Sequence, residues 1–400
     1  MRINLPRTFL EGCAFILNAS GPEAVFGSLQ PTKVAEPKVV ISRIKKIYRI
    51  LSKLVHPDTN PNAQVRAGEA FRRLMELKAE AEKRCGVSGN GNSAADPDSF
   101  KPVTFAVAGR TYTLTQRVKE GATCGIFEGV AQGKGSTAAH VLFRIPHNAA
   151  DNDLMEREAG VLRLLAKKAK QIAVDPEGVA LAEKFLMRIP PLLDSIRLTE
   201  PGVADQKVVN IFGCTAGFER GWFTLEEIRK AHPQGVNSRI MCFIMNRVLE
   251  GLTLAHMAGV VHCALTPNHI LVHAESHLGN ILDWTAACRT AEGDKVPYVD
   301  KERFEGYFPP EILDPAGTLS PATDIYMLAC SMVYLLGGDP KEALIPNTVE
   351  GPLREFFNRC LQPKRKLRPN DAATAYGEFR QIIKALFGQR KFVELKMPGI

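Results

Sequence analysis

The 400-residue sequence lacks the features that mark membrane, secreted and zinc-ribbon proteins. No uninterrupted apolar run approaches the roughly 20 residues that a helix needs to cross a bilayer. The apolar stretch Leu10–Leu17 is broken by Glu11 and lacks a convincing small-residue cleavage site, so it makes a poor secretion signal. Nine scattered cysteines form no CxxC pair, which argues against a zinc ribbon and is typical of reduced, intracellular thiols. We therefore expect a cytoplasmic protein without membrane contact.

Internal repeats, long low-complexity tracts and heptads are also missing, which disfavours a solenoid or a coiled-coil dimer. The composition, 45% hydrophobic and 24% charged, is that of a folded globular chain and excludes wholesale disorder. The length predicts two or three domains of about 100–200 residues each.

Positive charge is unevenly distributed. The formal net charge is +8, and residues 1–85 contribute +7 of it. A basic surface in that segment could serve nucleic acid or an acidic protein partner. Because the remainder of the chain is nearly neutral, nucleic acid is the less supported partner.

The clearest boundary is Gly86–Ser99, a stretch rich in Gly, Ser, Asn and Asp without apolar periodicity, which predicts a flexible linker. Helical patterns precede it, and strand patterns followed by helical patterns come after it. The predicted fold is multidomain, all-α and then α+β. Its segments are an N-terminal extension (1–21), a helical unit (22–85), the linker (86–102), an α+β unit (103–388) and a tail (389–400).

The helical unit is predicted to be a hairpin of two antiparallel helices. Apolar residues recur on one face of Pro37–Val55, and basic residues lie largely away from that face. These basic residues are Arg43, Lys46, Arg49 and Lys53. Pro57 ends the first helix, a polar loop follows, and a second apolar pattern runs over Ala63–Arg84.

The loop between the two helices carries His56, Pro57 and Asp58. A basic helix, an HPD tripeptide and an antiparallel second helix resemble the J-domain of DnaJ-type co-chaperones. The resemblance implies that the basic face and the tripeptide bind an ATP-dependent heat-shock chaperone of the DnaK type and accelerate its ATP hydrolysis. The structural alternative is that the tripeptide is only a turn and the basic face only solvated.

In the α+β unit, a hairpin is predicted where strand patterns flank Gly109 and Arg110. Several later stretches resemble, in order, the motifs of the protein-kinase fold. They are Val118–Gly125 (glycine-rich loop), Val141–Arg144 (lysine strand), Glu158 (helix glutamate), His262–Leu271 (catalytic loop), Leu282–Thr285 (DFG), Pro309–Glu311 (APE), Thr323–Tyr326 (buried aspartate) and Arg368 (partner of the APE glutamate). The resemblance implies a β-rich small lobe, an α-rich large lobe and a nucleotide pocket that includes Gly121.

The departures from the kinase pattern fall on the groups that perform the chemistry. Phosphoryl transfer needs a carboxylate that accepts the proton of the attacking hydroxyl, and Ala264 stands at that position. His269 replaces the metal-binding asparagine, and Arg144 replaces the phosphate-binding lysine. Glu311, Asp324 and Arg368, which the resemblance makes structural, are retained. We therefore expect a pseudokinase scaffold without a catalytic residue.

The remaining pocket residues each have two interpretations. Asp283 either binds a metal ion, with ATP and magnesium in a degenerate pocket, or caps a strand end. Glu158 either serves a nucleotide site or forms an internal ion pair with Arg144, which we favour. Cys263 is interpreted as a buried thiol rather than a nucleophile, and Trp284 as a core residue.

The leading hypothesis is thus a J-domain co-chaperone whose pseudokinase unit is a targeting, partner-binding or nucleotide-sensing module for an unidentified client. One alternative is a divergent kinase-fold enzyme with relocated catalytic groups that transfers phosphoryl or nucleotidyl groups. Another is a protein-binding scaffold whose helical unit has a different partner.

Overall fold

The computed structural model describes residues 5–29, parts of 43–84, and residues 102–397 with gaps at 108, 122, 134–137, 200–205, 215–220, 298–303, 305, 315 and 389–392. The chain divides into two compact units, Met1–Phe100 and Lys101–Ile400. The predicted linker, except Pro102, lies outside the described residues.

The N-terminal unit is helical throughout its described core. Helix α1 (Phe9–Leu17) begins at a capping box formed by Thr8 and Glu11, and α2 is Pro22–Phe26. The described residues between 43 and 55 and between 66 and 84 are also helical, and the connection between them, which the hairpin prediction concerns, lies almost entirely outside the described residues. These stretches share one apolar core, whose buried members are Cys13, Ile16, Val25, Phe26, Leu29, Ile44, Ile47, Leu51, Val55, Ala70, Leu74, Leu77 and Ala81.

Helix α1 packs closely against the first helix of the predicted hairpin. A Cβ atom at Gly12 would lie 2.8 Å from Cδ2 of Leu54 and 3.0 Å from Cγ1 of Val55, so a larger residue at this position would require those side chains to shift. Cys13 and Ile16 of α1 are fully buried. Residues of the segment 1–21, which we predicted to be an extension, therefore belong to the same core as buried residues of 44–55 and 70–81.

The small lobe of the second unit is a six-stranded antiparallel sheet of order β1-β2-β3-β4-β6-β5. Its strands are β1 (Val103–Val107), β2 (Arg110–Glu120), β3 (Cys124–Gly133), β4 (Ala139–Pro146), β5 (Leu192–Thr199) and β6 (Gln206–Gly213). The predicted hairpin is confirmed, since Val107 pairs with Arg110 around Gly109, which has a φ of +79°. Register shifts in β2 bend the sheet, and helix α3 (Asn152–Ile172) packs against β5 and β6.

The large lobe is mainly helical, and it holds the larger hydrophobic core. Its helices, with α4 preceding β5 in the chain, are α4 (Pro176–Leu186), α5 (Leu225–Ala231), α6 (Ser238–Met257), α7 (Pro310–Leu313), α8 (Pro321–Leu335), α9 (Gly351–Cys360) and α10 (Ala372–Phe387). Short strands β7 (Trp222–Thr224), β8 (Val260–Val261), β9 (Ile270–His273), β10 (Gly279–Ile281) and β11 (Cys288–Arg289) form two small sheets beside them. The unit therefore has the kinase-like bilobal fold that the motif order predicts.

Helix α6 is long and apolar enough to cross a membrane by length and composition, alone among the helices searched in the described residues. About two thirds of its apolar window, 67%, is buried inside the unit. The core helix of a globular unit meets the same criterion, and α6 packs mainly against α10.

A buried ion pair joins two distant segments of the large lobe. The Arg368 guanidinium donates to both carboxylate oxygens of Glu311, at 2.6 and 3.1 Å, and Thr323 Oγ1 donates to the same carboxylate at 3.0 Å. Arg368 also donates to the carbonyls of Gln362, Ala322 and Pro363. Its side chain is completely buried, so the pair holds these segments without competition from water.

Replacing Arg368 with methionine should lower the free energy of unfolding of this unit by about 3–5 kcal/mol, because Glu311 is left as a buried charge without its partner. Urea denaturation monitored by tryptophan fluorescence measures the change, since both tryptophans lie in this unit. Lys366→Met, at an exposed neighbouring position, is the matched control and should change stability by less than about 0.5 kcal/mol. Equal stability of Arg368→Met and the control would contradict the structural role.

Candidate functional site

The centre of the cleft is the guanidinium of Arg144 on β4, which contacts three side chains. Nη1 lies 2.5 Å from Oε1 of Glu158, Nη2 lies 2.8 Å from Oδ2 of Asp283, and Nε donates to Sγ of Cys124 at 3.0 Å. Burial alone lowers the pKa of Arg144, but the two carboxylates outweigh it and raise that pKa well above its usual value. The arginine is therefore a fixed, buried positive charge.

Glu158 on α3 is almost fully buried, and each of its oxygens has a donor. Oε1 accepts from Arg144 and from the backbone N–H of Trp284 at 3.3 Å, and Oε2 accepts from Nδ2 of Asn210 at 2.9 Å. Burial raises the pKa of the Glu158 carboxyl, and the Arg144 guanidinium opposes that rise. The geometry is that of the internal ion pair, which links α3 to β4.

Asp283 follows β10 and adopts a left-handed backbone conformation with φ +60°. Its Oδ1 accepts from the backbone N–H and the hydroxyl of Thr285, at 3.3 and 2.5 Å, and so caps the short turn Trp284–Ala286. Its Oδ2 faces Arg144 and Nε2 of His269, the latter at 3.3 Å. Burial would raise the pKa of Asp283, but Arg144 and His269 hold it well below its usual range.

The His269 ring lies between two sets of oxygen atoms. The Asp283 carboxylate lies on its Nε2 side, and the groups on its Nδ1 side come from the loop that precedes it. Its Nδ1 is 2.7 Å from the carbonyl oxygen of Ala264 and 3.2 Å from Oγ1 of Thr266, whose hydroxyl donates to Asn268. Ala264 presents a methyl group where the kinase pattern has its carboxylate, and only its backbone takes part in these contacts.

The backbone of the catalytic-loop segment is held by Asp324 on α8. Its carboxylate accepts from the backbone N–H groups of His262 and Cys263, at 2.8 and 2.9 Å, and from Nε2 of His256 at 3.0 Å. Cys263 has a φ of +62°, and burial raises the pKa of its thiol far above the usual value. This thiol is therefore protonated and poorly nucleophilic, as the sequence analysis predicts.

His262 is a buried, neutral histidine. Its Nε2 donates to the carbonyl of Leu282 at 2.9 Å, its Nδ1 accepts from the N–H of Ala264 at 3.2 Å, and its ring packs edge-on against Trp284. Burial lowers the pKa of His262 to about 4. Trp284 itself is fully buried, so its predicted place in the core is confirmed.

The turn between β2 and β3, where the glycine-rich loop is expected, is held by side chains on both sides. Gly121 is exposed, and its N–H donates to the carbonyl of Cys124 at 2.9 Å. The Glu120 carboxylate lies 3.2 Å from Nε2 of His147. Lys119 at the end of β2 pairs with Glu227 on α5 at 3.4 Å, which connects this hairpin to the large lobe.

The predicted chaperone-binding residues lie almost entirely outside the described residues. The residues whose structure is not described are His56, Pro57, Asp58, Lys46, Arg49 and Lys53. Arg43 is described, and its guanidinium donates to the carbonyl of Ser28. This residue is therefore partly engaged within its own unit.

Residues 219–387 match the family model of the protein kinase domain. A curated relative, the mitogen-activated protein kinase p38b of Drosophila melanogaster, is 35% identical over 106 residues, which is 26% of this chain and 27% of the relative. The chain thus spans about a quarter of the length of that relative. The matched residues contain the large lobe from α5 to α10, and the N-terminal unit gives no match to a J-domain.

A magnesium–nucleotide complex in the cleft would need open oxygen ligands. In a metal site the oxygens of Asp283 must be open to the ion, but here they already accept from Arg144, His269 and Thr285. The catalytic-loop position that supplies a second oxygen ligand in a kinase is His269, a nitrogen donor, which magnesium binds poorly. The donor set therefore does not fit magnesium.

Sequence reasoning missed three partners of the cleft, Cys124, Asn210 and Thr285. Asn210 is fully buried on β6, where its Nδ2 also donates to the carbonyl of Met155 at 3.0 Å. Asn210 could have been identified from the sequence, because it is the one polar residue in the apolar run Val208–Phe212 and a buried amide needs hydrogen-bond partners. The Cys124 contact depends on the pairing of β3 with β4, whereas Thr285 lies only two residues from Asp283 and forms a local cap.

The free energy of unfolding should fall as the pH is lowered from about 7 to 4. An unfolded histidine takes up a proton near pH 6.5, whereas folded His262 resists protonation down to about pH 4, so acid favours the unfolded state. The difference corresponds to about 3 kcal/mol. Urea denaturation across this range should show a shallower pH dependence for His262→Gln than for the wild type. His140→Gln, which alters a more exposed histidine, should retain the wild-type dependence.

Equal pH dependence in the wild type and His262→Gln would contradict the assignment of a buried neutral histidine. Tryptophan fluorescence is a suitable signal, because Trp284 packs directly on the His262 ring.

Proposed function

We propose that this chain is a J-type co-chaperone whose kinase-like unit does not transfer phosphate and instead binds a partner or client. The proposed lack of phosphate transfer rests on one observation in the cleft. Arg144 pairs with both Glu158 and Asp283, beside a loop that has Ala264 where a kinase has its catalytic base. The chaperone would be an ATPase of the DnaK type in the cytoplasm.

The chemistry of the cleft supports the proposed absence of phosphotransfer. A kinase orients the attacking hydroxyl with a carboxylate and neutralises the transferring phosphoryl group with metal ions. The methyl group of Ala264 accepts no proton. The nearby carboxylates of Glu158 and Asp283 already bind internal donors, so neither replaces the missing base.

The co-chaperone role is supported by the sequence around the HPD tripeptide and by the packing of the flanking helices. Buried residues on both sides of the tripeptide, such as Leu51 and Leu74, belong to one core. The tripeptide itself lies outside the described residues, so its part in the proposal rests on the sequence.

A kinase-type function is the second candidate, and the match of residues 219–387 to the protein kinase domain favours it. It requires a base and a phosphate partner outside the motif positions. The retained Glu311, Asp324 and Arg368 do not discriminate between the two candidates, because their contacts stabilise the fold in either case.

The full-length protein should stimulate single-turnover ATP hydrolysis by its cognate DnaK-type chaperone, and His56→Gln should lose that stimulation. The reason is that the tripeptide is expected to make the activating contact while contributing little to the core. Asn62→Gln, in the same predicted loop, is the matched control and should retain stimulation. Failure of the wild type to stimulate would overturn the co-chaperone half of the proposal.

Incubation of the wild-type protein with radiolabelled ATP, magnesium and generic kinase substrates should give no label transfer above background, because no carboxylate is available as base. Asp283→Asn and a known active kinase complete the comparison. Transfer by the wild type that Asp283→Asn abolishes would instead support the divergent-enzyme candidate.

A further inference from the structure

The carboxylates of the cleft are fully satisfied by groups of the protein itself. The oxygens of Glu158 accept from Arg144, Asn210 and the Trp284 backbone, and those of Asp283 accept from Arg144, His269 and Thr285. The two carboxylates are joined through one guanidinium, with Nη1 on Glu158 and Nη2 on Asp283. A divalent ion could reach Asp283 only by displacing one of these donors.

His269 adds a second nitrogen-bearing side chain beside Asp283. Its Nδ1 faces the Ala264 carbonyl, and its Nε2 lies 3.3 Å from Oδ2 of Asp283. Arg144 is therefore the fixed cation that pairs with both carboxylates, and the His269 ring occupies a further side of Asp283.

We propose that Arg144, assisted by His269, is a built-in replacement for the divalent cation of a kinase cleft, so the cleft rejects magnesium–nucleotide complexes and remains assembled without a ligand. The inference deepens the proposed function at the same site, since it specifies how a non-catalytic kinase-like unit keeps α3, β4 and the Asp283 segment together. It removes nucleotide sensing from the roles considered for this unit.

Two electrostatic effects oppose the binding of a magnesium ion in the cleft. A magnesium ion at Oδ2 of Asp283 would lie within a few ångströms of the Arg144 guanidinium, which is 2.8 Å from that oxygen, and like charges so close in a buried cleft repel strongly. Withdrawal of the guanidinium would leave Glu158, which is 2% exposed, as a buried anion without its cation.

The test uses the full-length protein in three forms: wild type, Arg144→Met and Arg144→Met combined with Asp283→Asn. Binding of Mn²⁺ is followed by electron paramagnetic resonance, and thermal unfolding is recorded with and without magnesium–ADP at millimolar concentration. The wild type should bind no Mn²⁺ and show no shift in Tm with magnesium–ADP. Arg144→Met should gain saturable Mn²⁺ binding, because two carboxylates then lack their cation, and the double variant should lose it.

Arg144→Lys covers the case in which Arg144→Met does not fold. Lysine retains one charge but cannot bridge two carboxylates as a guanidinium does, so this variant should bind Mn²⁺ measurably where the wild type does not. Saturable magnesium–ADP binding by the wild type would overturn the inference, and so would the absence of Mn²⁺ binding in every folded Arg144 variant.

These outcomes are separate from those of the proposed function. Nucleotide binding by the wild type without phosphate transfer would overturn the inference that Arg144 excludes magnesium–nucleotide complexes. It would leave the co-chaperone proposal intact. Loss of chaperone stimulation would have no bearing on Mn²⁺ binding at Arg144.

Discussion

The arrangement of the kinase-like unit depends on one buried guanidinium. Arg144 extends from the small-lobe sheet and binds a carboxylate on α3 and another on the segment after β10, so a single side chain joins three parts of the fold. Buried charges are stable only when paired and hydrogen-bonded, and here every oxygen of both carboxylates has a donor. In a protein kinase the helix glutamate pairs with the strand lysine and the DFG aspartate binds a metal ion, whereas here Asp283 lies against Arg144 and His269.

The large lobe retains the contacts that shape a kinase-like scaffold. Asp324 fixes the backbone of His262 and Cys263, and Arg368 fixes Glu311, all through buried charge-assisted hydrogen bonds. These contacts do not depend on phosphotransfer. The scaffold can therefore be retained although alanine occupies the position of the catalytic base at residue 264.

Much of this organisation could be predicted from the sequence because the motifs occur in order and each has a local signature. The β1–β2 hairpin follows from alternation around Gly109, and the Arg144–Glu158 pair follows from the motif positions. Strand β5 and helix α1 were not identified as parts of their cores, because α1 has a short apolar pattern and β5 lies within a region dominated by helical periodicity. The Asp283–Arg144 contact could not be predicted, because it depends on two segments that are 139 positions apart in the sequence meeting across the cleft.

The most direct test of the account is a crystal structure of the full-length protein grown with millimolar magnesium–ADP. The account predicts Arg144 between Glu158 and Asp283 and a cleft without nucleotide or metal density. A nucleotide in the cleft, with magnesium bound to Asp283 and the Arg144 guanidinium displaced, would contradict it.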